Sequence, residues 1–148
     1  MLPLDDADPS IDSTSLVTRL TAAASAQGQK PISISHIDVL VANAGASAGY
    51  HSVLDTSPDA ARFCFEVNAI GPLKLFQACW PLLSKSTREG GKKFVLVTSS
   101  VGSIAALEME SFPSAAYGMS KAAANWLAKK ISIEFQKDEL KVGIIHPG

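Results

Sequence analysis

The segment Ile37-Asp38-Val39-Leu40-Val41-Ala42 is a nearly continuous apolar and β-branched run, and Asn43-Ala44-Gly45 follows it directly. Such a run is typical of a strand that is covered on both faces in a parallel sheet. The segment therefore predicts a buried parallel strand that ends in a short polar, glycine-bearing turn.

Two later segments have the same design. Lys93–Val97 is a second apolar run that ends in Thr98-Ser99-Ser100, and Lys141–Ile145 is a third that ends in His146-Pro147-Gly148. Open α/β sheets bind ligands at the edge formed by the carboxyl ends of their strands. We therefore expect the tripeptides that follow the three strands to meet at one ligand-binding edge.

Helical segments separate the predicted strands. Ser57-Pro58-Asp59 places a serine N-cap and a first-position proline before a long helix that runs through Ser84. Pro113-Ser114 begins another helix that runs to about Gln136, and an earlier helix starts near Pro9. Strands that alternate with helices of this length indicate right-handed crossovers and an α/β fold with a parallel sheet, as a single domain over residues 1–148.

The composition narrows the classes of function. Of the 148 residues, 47% are hydrophobic and 18% are charged, and the net charge is -1, so we expect neither nucleic acid nor a membrane as partner. The N-terminus carries Asp5, Asp6 and Asp8 where a signal peptide would carry basic residues. Cys64 and Cys79 are isolated in apolar sequence without metal-ligand spacing, which predicts buried thiols, no metal site and a reducing, cytoplasmic location.

Tyr117 and Lys121 lie four residues apart in the helix that follows the second strand, so they share one face of it. An unperturbed tyrosine has a pKa near ~10, and a neighbouring ammonium favours the phenolate and lowers that value. The spacing alone is a weak signal, because both residue types are common on helices. Its place at the ligand-binding edge of the sheet makes the pair a candidate proton donor and acceptor near neutral pH.

These residues belong to a longer ordered set. The chain carries five motifs in sequence: Asn43-Ala44-Gly45 after IDVLVA, Asn68 in FEVNAIGPL, Ser100 in VTSSVGS, Tyr117 and Lys121 in YGMSK, and the final Pro147-Gly148. In order and approximate separation the set resembles the short-chain dehydrogenase/reductases, in the branch with an Asn-Ser-Tyr-Lys tetrad. The longer loop between Ser100 and Tyr117 is similar to carbonyl reductases and to fungal ketoreductases of the norsolorinic-acid type.

The resemblance implies an Asn68, Ser100, Tyr117 and Lys121 tetrad. Tyr117 would protonate the carbonyl oxygen of a ketone or deprotonate an alcohol, and Ser100 would hydrogen-bond the same oxygen. Lys121 would lower the pKa of Tyr117 and hold the nicotinamide ribose. The hydride chemistry would belong to NADP or NAD, with NADP favoured by the resemblance.

The resemblance also implies further cofactor contacts. Asn43, Ala44 and Gly45 would lie along the adenosine side, and Pro147 and Gly148 would begin the wall beside the nicotinamide. Asp5 matches the acidic residue that contacts adenine in the family, with Asp6 as a competing candidate.

Asn68 also has a physical argument of its own. Pro72 lies four residues later and has no N–H to give to the carbonyl of Asn68, and Gly71 loosens the helix further. The sequence therefore predicts a free Asn68 carbonyl, which in the family holds a water of the proton relay to the lysine. A kink around the core is a compatible explanation for the same proline.

Parts of the family pattern do not occur in this sequence. The glycine-rich TGxxxGxG turn that cradles the pyrophosphate is absent, and residues 1–8 match the family's third strand. We therefore expect a partial Rossmann-type doubly wound parallel sheet, lacking the first two βα units and the last strand. In the order 3-2-1-4-5-6, this exposes the first predicted strand as an apolar edge, so we expect a truncated product that folds poorly alone.

The leading hypothesis is an NAD(P)-dependent oxidoreductase that acts on a small ketone or secondary alcohol, from a parent enzyme that forms homo-oligomers through its two long helices. The missing pyrophosphate turn motivates a second hypothesis, a catalytically inactive remnant that serves at most as a binding or assembly module. A nucleotide-sugar epimerase or dehydratase also shares YxxxK, but the Asn-Ala-Gly and His-Pro-Gly contexts favour the reductase.

Overall fold

A computed structural model describes residues 34–109 and 112–147, together with Ser15, Thr18 and Arg19. The described strands are β1 (Val39–Ala42), β2 (Lys93–Val97) and β3 (Lys141–Ile145), and they form one parallel sheet in the order β1-β2-β3. This confirms the predicted α/β fold with a parallel sheet. β1 begins two residues later than expected, because the Ile37 N–H donates to the Leu82 carbonyl at 3.2 Å instead of joining the sheet.

Three α-helices that lie wholly within the described residues connect and cover the strands: α1 (Pro58–Phe65), α2 (Gly71–Leu83) and α3 (Ala115–Glu134). The hydroxyl of Ser57 caps α1 as predicted, accepting a hydrogen bond from the Ala60 N–H at 3.1 Å. The strand expected over residues 1–8 and the helix start near Pro9 lie outside the described residues, although Ser15, Thr18 and Arg19 are helical. Among the helices that the structure describes, none has the length and apolar character needed to cross a membrane.

A π-helical turn, Glu66–Ile70, divides the segment that the sequence predicted as one continuous helix. The Gly71 N–H donates to the carbonyl of Glu66, five residues back. The cause is Pro72, which cannot donate to the carbonyl of Asn68 and whose ring crowds that carbonyl. The ladder of hydrogen bonds therefore shifts by one residue, as is common where a helix carries a functional side chain.

The core lies between one face of the sheet and helices α2 and α3. Leu40, Phe94 and Leu96 are buried from the sheet, and Phe94 packs edge-on against Phe76 with ring centroids 5.3 Å apart. Cys64 and Cys79 are buried free thiols, as the sequence predicted, and burial raises the pKa of Cys79 to about 11.

The opposite face of β1 is open among the described residues. Val39 and Val41 are 41% and 49% exposed, while Leu40 and Ala42 between and after them are buried. Since alternate residues of a strand point to opposite faces, Val39 and Val41 present apolar side chains to solvent, and β1 lies at one edge of the sheet that the described strands form. Unpaired apolar edge strands are sites of association with other chains.

This open edge predicts self-association of the isolated chain at micromolar concentration. Replacing Val39 and Val41 together with lysine should reduce it, because charges on an edge strand oppose pairing. Sedimentation velocity measures the change. Val53→Lys is the matched control, since Val53 is 82% exposed in a loop and its replacement should leave association unchanged. A monodisperse wild-type monomer with a cooperative thermal transition would contradict the prediction.

Candidate active site

The carboxyl ends of all three strands meet at a cavity of about 430 Å³. Its lining comes from the segments after the strands and from α3: Asn43, Gly45, Ala46, Ser47, Tyr50, Val97, Thr98, Ser99, Tyr117, Lys121, His146 and Pro147. The register explains the meeting, because Ala42 pairs with Leu96 and Val97 with Ile145, so the strands end nearly level. This is the edge at which the sequence placed a ligand site.

The buried carboxamide of Asn68 joins two parts of this site. Its oxygen accepts a hydrogen bond from the Ala46 N–H at 2.8 Å. Its nitrogen donates to the Ala46 carbonyl and to the Ser120 hydroxyl, each at 2.8 Å. Ser120 in turn donates to the backbone carbonyl of Tyr117 at 2.7 Å. The loop after β1 and the first turns of α3 are thus held together by one side chain that is only 1% exposed.

Asn68→Ala should destabilise the chain substantially, because it leaves the N–H and carbonyl of Ala46 without their partner. An unsatisfied buried polar group costs on the order of 1–3 kcal/mol. Urea denaturation measures the loss, and Gln77→Ala, which truncates an exposed amide on α2, is the matched control. A loss no larger than that of the control would show that this network does not hold the site together.

Lys121 is 3% exposed and lies under the cavity. Its Nζ donates to the carbonyl of Val97, the last residue of β2, at 3.1 Å, and lies 5.5 Å from the centroid of the Tyr117 ring. Burial disfavours the ammonium and lowers the pKa of Lys121. Since an ammonium has three donors, the bond to Val97 leaves capacity for oxygen atoms of a ligand in the cavity.

Tyr117 behaves differently from the sequence expectation. Burial raises its pKa, and a hydrogen-bonding interaction with the Ser99 side chain opposes that rise only in part. The expected lowering by Lys121 is therefore wrong for this structure. The physical reason is that the phenol loses hydration while the ammonium is held on the carbonyl of Val97.

Ser99 lies beside Tyr117, whereas Ser100 is not among the residues that line the cavity. Ser99 has extended backbone, lines the cavity and interacts with the phenol. Ser100 begins a 3₁₀ turn, Ser100–Gly102, and its carbonyl accepts from the Ser103 N–H at 2.8 Å. The role of Ser100 at the reacting oxygen stays a prediction, and Ser99 is a second candidate for it.

The turn after Ser99 approaches α3 very closely. A Cβ on Gly102 would lie 2.8 Å from the Lys121 backbone carbonyl carbon, a contact that real side chains essentially never make. Asn125 adds a polar link, since it donates to the Gly102 carbonyl at 3.2 Å and accepts from the Thr98 hydroxyl at 2.7 Å. Gly102 thus allows Ser99, just after the end of β2, to lie close to Tyr117 on α3.

The other predicted site residues are placed as follows. Asn43, Gly45 and Pro147 line the cavity, whereas Ala44 is not among its lining residues. Asp5 and Gly148 lie outside the part of the chain that the structure describes.

Sequence reasoning gave no site role to Ser120 or Tyr50. Ser120 joins the Asn68 network, and Tyr50 lines the cavity. The signal for Tyr50 was its place in the loop after β1, whereas nothing in the sequence distinguished Ser120. His146 also lines the cavity, at the strand end where its tripeptide was expected.

Comparison with known proteins agrees with this geometry. A family model described as short chain dehydrogenase matches residues 13–148. An uncharacterized oxidoreductase of Schizosaccharomyces pombe is 35% identical over 133 residues, which cover 89% of this chain and 50% of that protein. The norsolorinic acid ketoreductase of Dothistroma septosporum is 35% identical over 128 residues, which cover 86% of this chain and 47% of that protein.

A solved structure has the same fold. The NADPH-bound carbonyl reductase from chicken fatty liver superimposes with a TM-score of 0.73 at 24% identity, covering 93% of this chain and 54% of that one. The chain spans about half the length of the curated relatives that it matches.

Proposed function

Because the chain belongs to the short-chain dehydrogenase family, we propose that it acts as an NAD(P)-dependent oxidoreductase that interconverts a ketone and a secondary alcohol. The observation that carries the proposal is the convergence of the Tyr117 phenol, the Ser99 hydroxyl and the Lys121 ammonium on one cavity at the carboxyl edge of the sheet. The name of the norsolorinic acid ketoreductase supports a ketone as the substrate class.

The cavity suits the nicotinamide and ribose part of such a cofactor. A Cβ on Gly45 would lie 3.2 Å from Lys121 Nζ and 3.4 Å from the Asn68 carboxamide oxygen, so the glycine keeps space open beside the ammonium. Lys121 would hold the ribose hydroxyls, Asn43 and Gly45 would border the adenosine side, and Pro147 would border the nicotinamide. The cofactor supplies or accepts the hydride when bound, and we favour NADP over NAD on the family resemblance.

The proton chemistry falls to this chain's own side chains. The Ser99 hydroxyl would hydrogen-bond the substrate oxygen and fix its position beside the phenol. Tyr117 would give its proton to that oxygen during reduction. Because its pKa lies above the usual value, the phenol stays protonated throughout the neutral range, which suits the reducing direction. Alcohol oxidation needs the phenolate, so its rate should rise as the pH increases towards the raised pKa.

Two substitutions test these roles in an assay of ketone reduction by the chain. Tyr117→Phe removes the proton donor and should lower kcat by roughly 10²–10⁴-fold. Ser99→Ala should also lower kcat, whereas Ser100→Ala, its matched control, should leave kcat within about twofold of wild type. Retained reduction by Tyr117→Phe would remove that residue from the mechanism. A larger effect of Ser100→Ala would assign the orienting role to Ser100, as the family resemblance implies.

An inactive remnant is the alternative, and a specific observation favours it. The sequence contains no glycine-rich strand-to-helix turn for the pyrophosphate, so only part of a cofactor cradle is present. Such a chain would retain the fold of a reductase and serve at most as a binding or assembly module.

Titration with NADPH, followed by nicotinamide fluorescence, distinguishes the two. The oxidoreductase should give saturable enhancement, and Lys121→Met should weaken it because the buried ammonium is lost. The surface variant Lys137→Met should bind like wild type. If the wild-type chain gives no saturable signal, the remnant becomes the better explanation.

We also propose that the enzyme forms homo-oligomers through its helices. Helices α1 and α3 pack against each other, and Phe63 and Trp126 on them leave much of their rings exposed. Exposed aromatic residues on packed helices are typical of surfaces that bind another subunit.

A further inference from the structure

One face of α3 contacts the chain where it leaves β2. Tyr117, Lys121 and Asn125 lie four residues apart on that helix, so their side chains share this face. Lys121 donates to the carbonyl of Val97, and the phenol of Tyr117 interacts with the Ser99 side chain. The function proposed above gives no role to Asn125, the third residue on the face.

The carboxamide of Asn125 is hydrogen-bonded to both ends of the segment that carries Ser99. Its oxygen accepts a hydrogen bond from the Thr98 hydroxyl at 2.7 Å, and its nitrogen donates to the Gly102 carbonyl at 3.2 Å. Thr98 immediately precedes Ser99, and Gly102 ends the 3₁₀ turn that follows it. The Gly102 N–H donates to the Ser99 carbonyl at 3.1 Å, which closes the turn. Asn125 therefore holds the segment against α3 on either side of Ser99.

Backbone contact between this segment and α3 limits how closely the two can approach. A Cβ on Gly118 would lie 3.1 Å from the Val101 carbonyl oxygen, so the turn packs directly on the backbone of the helix. Such a contact is not directional, whereas the hydrogen bonds of an amide, one donated and one accepted, require particular angles. The alignment of Ser99 with Tyr117 therefore depends on the carboxamide of Asn125.

We propose that Asn125 is a positioning residue, which acts by holding the Ser99 hydroxyl at hydrogen-bonding distance from the Tyr117 phenol. Asn125 is not among the residues that line the cavity, so it acts without touching the substrate or the cofactor. Its effect on the reaction passes through the hydroxyl of Ser99. This inference rests on the proposed function, since it names a further residue on which the same site depends.

The test is a titration of Tyr117. Burial raises the pKa of this phenol, and the Ser99 side chain opposes that rise. The chain contains two tyrosines, so in a Tyr50→Phe background the tyrosinate absorbance reports on Tyr117 alone. In that background Asn125→Leu, which keeps the approximate size of the side chain, should raise the pKa of Tyr117. Ser99→Ala should raise it to the same extent, and both substitutions together should raise it no further.

Thr98 provides a second test, which does not require that Asn125→Leu folds. Thr98→Val keeps the shape of the side chain but removes the hydroxyl that donates to the amide. It should therefore also raise the pKa of Tyr117 in the Tyr50→Phe background. Thr98→Ser keeps the hydroxyl and should retain the original pKa. Circular dichroism establishes that each variant is folded.

The rate of ketone reduction gives an independent measurement. Asn125→Leu should lower kcat by roughly twofold to tenfold, the factor that corresponds to one ordinary hydrogen bond. KM should stay within about twofold of wild type, because uniform binding of the substrate does not involve Asn125. In a Ser99→Ala background, Asn125→Leu should leave kcat unchanged, since the hydroxyl that it positions is absent.

A matched control separates positioning from a general effect of losing an amide. Gln77→Leu makes the same amide-to-leucine change at an exposed position on α2, and should leave the pKa of Tyr117 and kcat unchanged. Lys121 and Cys64, the other titratable groups near the phenol, remain in every variant.

Three results would overturn the inference. The first is an unchanged pKa of Tyr117 in both Asn125→Leu and Thr98→Val. The second is a rise of the same size in the control variant. The third is a further rise when Asn125→Leu is added to Ser99→Ala, because the effect of Asn125 would then not pass through Ser99.

The outcome is distinguishable from that of the proposed function. The titration needs neither cofactor nor substrate, so a pKa response to Asn125→Leu in a chain without Tyr117-dependent reduction defeats the oxidoreductase alone. Reduction that depends on Tyr117, with a pKa that neither Asn125→Leu nor Thr98→Val changes, defeats the positioning role alone.

Discussion

The site depends above all on the three hydrogen bonds of the Asn68 carboxamide. They join the loop after β1 to α3, two segments that are far apart in the chain and are otherwise linked by an isolated β-bridge between His51 and Ser114. Because the amide is buried, water cannot take the place of any of these hydrogen bonds in the folded chain. Asn68 therefore determines the position of Tyr117 relative to the cavity, although Asn68 belongs neither to the loop after β1 nor to α3.

The local conformation of the helix is coupled to this role. Pro72 interrupts the regular ladder, and the resulting π-helical turn spans the position of Asn68. Such a turn changes the direction of the side chains that it carries. The interruption of the helical hydrogen bonds at Pro72 is offset by the hydrogen bonds that the Asn68 amide makes to two other segments. A proline that is unfavourable for the helix thus accompanies a contact that stabilises the tertiary structure.

Sequence patterns predicted the elements better than the details of the site. The boundaries of β2 and β3 follow directly from apolar runs, and Tyr117 and Lys121 were found from helical spacing. The choice between Ser99 and Ser100 stays open from the sequence, because it depends on the direction of the chain as it leaves β2, which two identical neighbouring residues do not reveal. The predicted lowering of the Tyr117 pKa was wrong because burial, which depends on the whole fold, outweighs the effect of the Lys121 ammonium. Helical spacing alone does not determine where that ammonium lies. For Asn68 the prediction concerned the backbone carbonyl, whereas the structure adds side-chain partners 22 and 52 residues away.

Gly45 has a consequence for how such a site can change over evolution. The smallest possible side chain, a single methyl group, would lie 3.2 Å from the Lys121 Nζ and 3.4 Å from the Asn68 carboxamide oxygen. That methyl would narrow the space in which the ammonium can reach a ligand while leaving every titratable group in place. Access to this ammonium can thus change through one substitution that alters no charged or hydrogen-bonding side chain.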